Sequence, residues 1–311
     1  MSPAAYIYRA AGNVLHPLMP GPDISMSPPP ATTGMLYGVS AGSETNAKVD
    51  AQIVAVHPGA YFIYINGATW AEKVPTSIPG TADVMLVFQQ TDPGLLDTYL
   101  NSMPATRAGK VYAMFHQEPE NDPAYVNNSA VYRAEGAALY SAIDRQRTAG
   151  RGAYIVKSSC LMPFYGFKQT DATHPAPIGF QMDWIIPGAE HIGFSIYAEV
   201  KTSGTSTTWG NDPDIYADRA GACCKAIGLP WGASAWGFAI PDANINDPTS
   251  LANRVYWFNT NRAALIRNGS THAMWFNIHW NTTDYVIETS ADLYAAWKQA
   301  LADTGQYTGP W

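Results

Sequence analysis

The run Val111-Tyr-Ala-Met-Phe-His116-Gln117-Glu118-Pro119-Glu120-Asn121-Asp122 passes from an apolar stretch into a histidine, an amide and a set of carboxylates. Glu118, close to His116 and followed by Pro119, has the ingredients of a general acid. The proline stiffens the turn, and burial against aromatic rings would raise the carboxyl's pKa toward neutrality. The same composition would also serve as a solvated acidic loop. Further side chains fall at the ends of other apolar runs, among them Tyr197, Trp236, Trp275, His279 and Trp280. Rings so placed stack on sugars, and they fill cores about as readily. His116 and His279 stand alone without metal-ligand spacing, so they read as hydrogen-bonding groups; no metal and no cofactor are expected. The triplets beginning at Asn127, Asn268 and Asn281 match the N-glycosylation pattern, which short sequences meet by chance.

Such groups can act together only if the apolar runs before them are neighbours in space. From Met35 onward, short β-like runs alternate with helical patterns. The strands read as Met35–Ser40, Tyr61–Ile65, Val84–Phe88, Val111–Phe115, Tyr154–Ser158, Ile192–Tyr197, Gly232–Trp236 and Ala273–Asn277. Most are unbroken apolar or β-branched stretches, as parallel strands covered on both faces should be. The clearest helix is Ser129–Thr148, where Tyr132, Gly136, Leu139, Tyr140 and Ile143 recur every three or four residues before Gly150 stops it. Others run from about Pro213 to Ile227, Pro248 to Arg267 and Ser290 to Ala302. Eight strand-then-helix units over residues 34–311 predict an α/β fold, a (β/α)₈ TIM barrel, whose chemistry sits at the C-terminal ends of the strands. A doubly wound open sheet fits less well, because Ser40-Ala41-Gly42-Ser43 lacks the later glycines of a phosphate loop.

The strand-four segment resembles the His-Glu-Pro-Glu motif of clan A glycoside hydrolases, with Gln117 as an extra residue, and is most similar to relatives of family 26 mannanases from actinobacteria and their phages. The resemblance covers most of residues 35–280. It includes Leu36-Tyr-Gly-Val-Ser-Ala-Gly42, Val87-Phe-Gln-Gln-Thr-Asp92, Ile192-Gly-Phe-Ser-Ile-Tyr197 and Leu229-Pro-Trp-Gly-Ala-Ser-Ala-Trp-Gly-Phe238. It implies that Glu118 is the acid/base; His116, Gln117, Tyr197, Trp236, Trp275 and His279, by their positions at strand ends, are the candidate substrate-binding residues beside it. In that clan the nucleophilic Glu ends strand seven in a pattern like Ala-Glu-Trp/Phe-Gly, and the matching position here is Ala235. The strand-six Asp of such relatives is Ser195 here. A methyl group cannot attack an anomeric carbon, and a retaining enzyme needs two carboxyls about 5–5.5 Å apart. An inverting pair, about 6.5–9.5 Å apart, could instead join Glu118 to Glu199, Asp242 or Asp92, with Glu199 the best placed.

Residues 1–33 form a separate zone. Pro3, Pro17, Pro20, Pro22 and Pro28-Pro29-Pro30 favour extended backbone, yet Tyr6, Ile7, Tyr8, Val14, Leu15, Leu18 and Met19 are too apolar for a solvated linker. An extended Pro-rich N-terminal arm is expected, packed on its own barrel or on another subunit. The first residues lack a basic stretch before an uninterrupted apolar one, so no signal peptide is read there. A net charge of -7 without any basic stripe argues against nucleic acid, and no apolar run approaches the roughly 20 residues of a membrane span. Cys160, Cys223 and Cys224 read as buried thiols. Three functions stay open: a glycan-binding barrel in a larger assembly such as a phage minor tail protein, in the virion or extracellular; an active glycosidase with a displaced partner carboxylate; and a purely structural barrel.

Overall fold

The computed structural model describes residues 8–11, 14–17, 35–40, 46–65, 69–89, 92–119, 122, 124–125, 128–161, 183–203, 206–209, 215–280 and 283–306. Its core strands are β1 Leu36–Ser40, β2 Ala60–Ile65, β3 Asp83–Phe88, β4 Val111–Phe115, β5 Ile155–Leu161, β6 His191–Ser203, β7 Trp231–Pro241 and β8 His272–Phe276. Each pairs in parallel with the next, and β8 pairs with β1 to close the barrel. Helices α1 Asn46–Val56, α2 Trp70–Lys73, α3 Pro93–Ser102, α4 Ser129–Thr148, α5 Ile215–Ile227, α6 Pro248–Arg267 and α7 Ala291–Asp303 follow their strands. This is the (β/α)₈ TIM barrel that the alternation predicts. β6 and β7 outrun their sequence bounds, because each is extended by an antiparallel partner, Ser206–Trp209 on β6 and Thr283–Asp284 on β7.

The strand sequences are apolar throughout because both faces are buried. Alternate residues point inward: Ala60 and Phe62, Met85 and Val87, Tyr112 and Met114 form an inner cluster with Cys160 and Met274. Their neighbours, such as Tyr61, Leu86, Phe115 and Phe194, join the larger core under the helices. Helix starts follow local chemistry. Asp92 caps α3 by accepting from the Leu95 amide at 2.9 Å, Asp247 caps α6 through Ser250 at 2.9 Å, and each helix opens on a proline. α4 buries Tyr132, Gly136, Leu139, Tyr140 and Ile143, the stripe that its spacing predicts, and Gly150 beyond it takes a φ of 76° that few other residues tolerate.

A polar plug fills the N-terminal end of the barrel. The His191 and His272 rings stack at 5.0 Å, with Tyr112 at 4.7 and 5.3 Å from them. His191 reaches Ser158 at 2.9 Å and Thr271 at 3.2 Å, and His272 reaches Thr271 at 3.0 Å. Burial pulls the His191 pKa down to about 3 and that of His272 well below the usual range, so both imidazoles are neutral.

The chain divides into two compact units, Met1–Ala31 and Thr32–Trp311. Within the first, Tyr8–Ala11 pairs antiparallel with Val14–Pro17. The stretch between Pro3 and Pro17 holds no proline, and Gly12-Asn13 is a turn-forming pair, so a ladder can form there.

Candidate functional site

At the C-terminal end of β4 the backbone is strained on both sides of Gln117. His116 and Glu118 adopt φ of 46° and 57°, a left-handed conformation that costs a non-glycine residue roughly 1–2 kcal/mol. Contacts behind the turn hold it. The His116 amide donates to the Phe88 carbonyl at 2.8 Å, and its imidazole lies 3.1 Å from Asp122, edge-on to Phe115 and Tyr125 at 4.9 Å each. Tyr132 on α4 donates to the Phe115 carbonyl at 2.9 Å, and Tyr125 donates to Glu135 at 2.6 Å. His116 is thus a buttress of the turn, and Glu118 is what the turn presents.

Glu118 sits among neutral partners. The Gln117 amide donates to its Oε1 at 3.2 Å and to the Ser195 hydroxyl at 3.0 Å, while the Tyr64 hydroxyl donates to the Gln117 carbonyl oxygen. Glu118 keeps part of its surface open to solvent, yet the surrounding protein is dense enough to raise its pKa above the usual carboxylate range. Hydrogen bonds from Ser195 and Gln117 oppose that rise without cancelling it. Burial, with the Glu118 charge adding to it, also pushes the Tyr64 and Tyr197 hydroxyls well up, so both remain neutral donors.

β6 and β7 supply the facing wall. Ala235 is in register with Ser195, beside an irregularity between Ala233 and Ala235 that leaves Ser234 within 3.4 Å of His272 inside the barrel. Beyond Ser195, Tyr197 meets Phe276 of β8 at 5.8 Å and Tyr285 at 6.0 Å, and those two rings pack at 5.2 Å. All three are half-buried. A side chain on Gly237 would come within 3.1 Å of the Tyr285 ring, so the absence of a Cβ lets that ring lie over β7. Tyr285 is held from outside: its carbonyl accepts from the Trp275 indole at 2.6 Å, and its neighbour Asp284 accepts from Arg254 of α6 at 2.9 Å, both charges fully buried.

The mouth therefore gathers Glu118, Gln117, Ser195, Tyr197, Tyr64, Phe276 and Tyr285, with His116 behind. Two expected platforms are corrected. Trp236 and Trp275 lie under α6, their rings 5.1 Å apart, with Trp236 4.9 Å from Phe258 and donating to Asn261 at 2.8 Å. At 0% exposure neither can stack on a ligand. His279 is exposed on the rim and pairs with Asp242 at 2.7 Å, while Asp92 is spent on its helix cap; neither acid is among the partners of Glu118. Glu199 lies on β6 opposite Ala239 in the ladder, and its side chain is outside the described residues, as are Glu120 and Trp280. Sequence reading missed Tyr64, Phe276 and Tyr285. The first two could have been found by counting in twos from their strand neighbours, Tyr64 from Phe62 and Phe276 from Met274. Among the described residues no group of three or more potential metal ligands comes together.

No protein-family model matches the sequence, and no curated protein matches it. Solved structures do. A GH5-4 broad-specificity endoglucanase from Ruminococcus champanellensis with bound cellotriose aligns with a TM-score of 0.55 at 12% identity, over 85% of this chain and 95% of that one. The catalytic domain of a GH26 endo-β-1,4-mannanase from Bacillus sp. JAMB-750 aligns at 0.55 and 11%, over 87% and 86%. A modular endo-β-1,4-mannanase from Cellulomonas fimi aligns at 0.52 and 9%, over 88% and 73%. At these identities the likeness is one of fold: the chain has the barrel architecture that these glycoside hydrolases share.

Proposed function

We propose that this barrel binds a cell-surface or cell-wall glycan without the retaining two-carboxylate mechanism, as one part of a larger assembly of the phage minor tail type, in a virion or outside the cell. What supports this reading is the register of Ala235 with Ser195, because by the family resemblance Ala235 holds the strand-seven nucleophile position and carries only a methyl. An acid alone protonates a leaving oxygen but leaves the oxocarbenium-like centre untrapped, and that forfeits most of the gain of a pair. The half-buried rings of Tyr197, Phe276 and Tyr285 supply apolar faces with polar tips, the surface a pyranose packs against. The assembly role draws on residues 1–33, whose apolar side chains suit docking on another chain.

Binding is tested by calorimetry with cellotriose and mannotriose and by affinity electrophoresis in soluble β-glucan, mannan and arabinogalactan. Retardation or heat with at least one of these is expected, and Tyr285→Ala should weaken it about tenfold, the loss of roughly 1.4 kcal/mol of ring contact. Absence of binding to all of them would leave a purely structural barrel.

A second reading keeps turnover. The raised pKa of Glu118 is what a general acid requires, and an inverting mechanism would need one further carboxylate to activate water, for which Glu199 just beyond the barrel part of β6 is the candidate.

A further inference from the structure

Gln117 is the extra residue by which the β4 end departs from the His-Glu-Pro-Glu motif. We infer that Gln117 is the positioning residue of the mouth: its amide is a neutral strut that ties β2, β4 and β6 together and holds the Glu118 carboxyl in place. The inference rests on the reading that the mouth is the ligand site, and it assigns the residue that organises it.

Both N–H donors of the amide group and its carbonyl oxygen are directed at other strands or at Glu118. The carbonyl oxygen accepts from Tyr64 on β2, and the nitrogen donates to Ser195 on β6 at 3.0 Å and to Glu118 at 3.2 Å. β2, β4 and β6 are alternate strands of a closed eight-stranded barrel, so a side chain from β4 that reaches both others must lie across the opening. Ala235 is the ladder partner of Ser195 on β7, one strand beyond the strut's end. The left-handed residues on either side, His116 and Glu118, give the turn the shape that sends Gln117 across the mouth.

The chemical consequence is opposite to that of a second carboxylate. A neighbouring anion would disfavour ionised Glu118, whereas an N–H aimed at its oxygen favours it and offsets part of the burial. Gln117 thus keeps Glu118 available as an oriented acceptor for a ligand hydroxyl.

The test is a titration of the full chain carrying ¹³C at glutamate Cδ, with the Glu118 signal assigned by its disappearance in Glu118→Gln. Gln117→Met keeps the length of the side chain and removes its hydrogen bonds. The Glu118 midpoint should then move up by about one pH unit, the scale of a hydrogen bond to a charged group. Gln117→Asn, which keeps an amide too short to span both strands, should move it in the same direction and decides the matter if the Met variant does not fold. A role in stability alone would lower Tm and leave the midpoint in place; an unmoved midpoint in a folded variant overturns the inference. Cellotriose and mannotriose binding, measured on the same samples, separates the two readings. Absent binding by the unmodified protein with a shifted midpoint in the variants would sink the carbohydrate reading and leave the strut standing.

Discussion

Glu118 carries two costs at once, a left-handed backbone and a carboxyl pushed above its ordinary pKa by burial. Folds retain such features where a site needs them, and removing them stabilises the chain. Because the folded pKa is raised, the native state is favoured while Glu118 is protonated, and that advantage is lost as pH rises through the folded value. Glu118→Gln should therefore raise stability at pH 7–8, and the difference should shrink to nothing below the ordinary carboxylate range near pH 4. Urea unfolding of both proteins across that range checks the sign; a gap that widens toward acid would refute it. At this scale the sequence located the turn, with Glu118 beside Pro119 just past the end of an apolar run that is β4. It was uninformative for Trp236 and Trp275. A strand buried on both faces has no polar face to show which way its rings point, and those two indoles turned out to serve the helix side.

Among the elements, the segment after β8 shows how the mouth is built from behind. Arg254 on α6 donates to the Asp284 carboxylate at 2.9 Å and to the Asp284 carbonyl at 2.8 Å, and reaches the Val286 carbonyl at 3.2 Å. This holds Tyr285 against Tyr197 and Phe276 from the side of α6. Removing one partner of a fully buried ion pair typically costs about 3–5 kcal/mol, because the other charge is left uncompensated. Arg254→Met should lower stability by that order and weaken glycan binding, whereas Arg254→Met combined with Asp284→Asn should recover part of the stability. Chemical denaturation and calorimetry of the three proteins would show it; simple additivity of the two substitutions would mean that the pair is not coupled. The start of α6 was read from Pro248, whereas the cap at Asp92-Pro93, equally local, was passed over and Asp92 taken for a site acid. The Arg254–Asp284 clamp joins residues 30 apart in sequence and carries no local signal.

The barrel as a whole was legible because its rhythm is repeated: all eight strands begin within a residue of where the apolar runs place them. The plug at its other end was not. His191 and His272 are single residues at strand starts, and only closure of the ring brings them to 5.0 Å. Their lowered pKa values make them a point of acid sensitivity. An unfolded histidine takes up a proton near pH 6.5 and these two do not while folded, so stability is full above that value and falls as pH drops toward the folded pKa, about 3 for His191. Tm should decline between pH 6.5 and 4, and His272→Asn should flatten that decline even if it lowers Tm at neutral pH; an unchanged slope would show that other groups set the acid limb.

The most direct measurement is the initial rate of hydrolysis of β-mannan, β-1,3- and β-1,4-glucan and arabinogalactan by the unmodified protein, with Glu118→Gln as the blank. On the proposal that Ala235 holds the nucleophile position, the rate should lie at the level of that blank while a glycan is still bound. Robust turnover by the unmodified protein that disappears in Glu118→Gln would contradict this and make the barrel an enzyme; if Glu199→Gln also abolished it, the partner carboxylate would be found on β6.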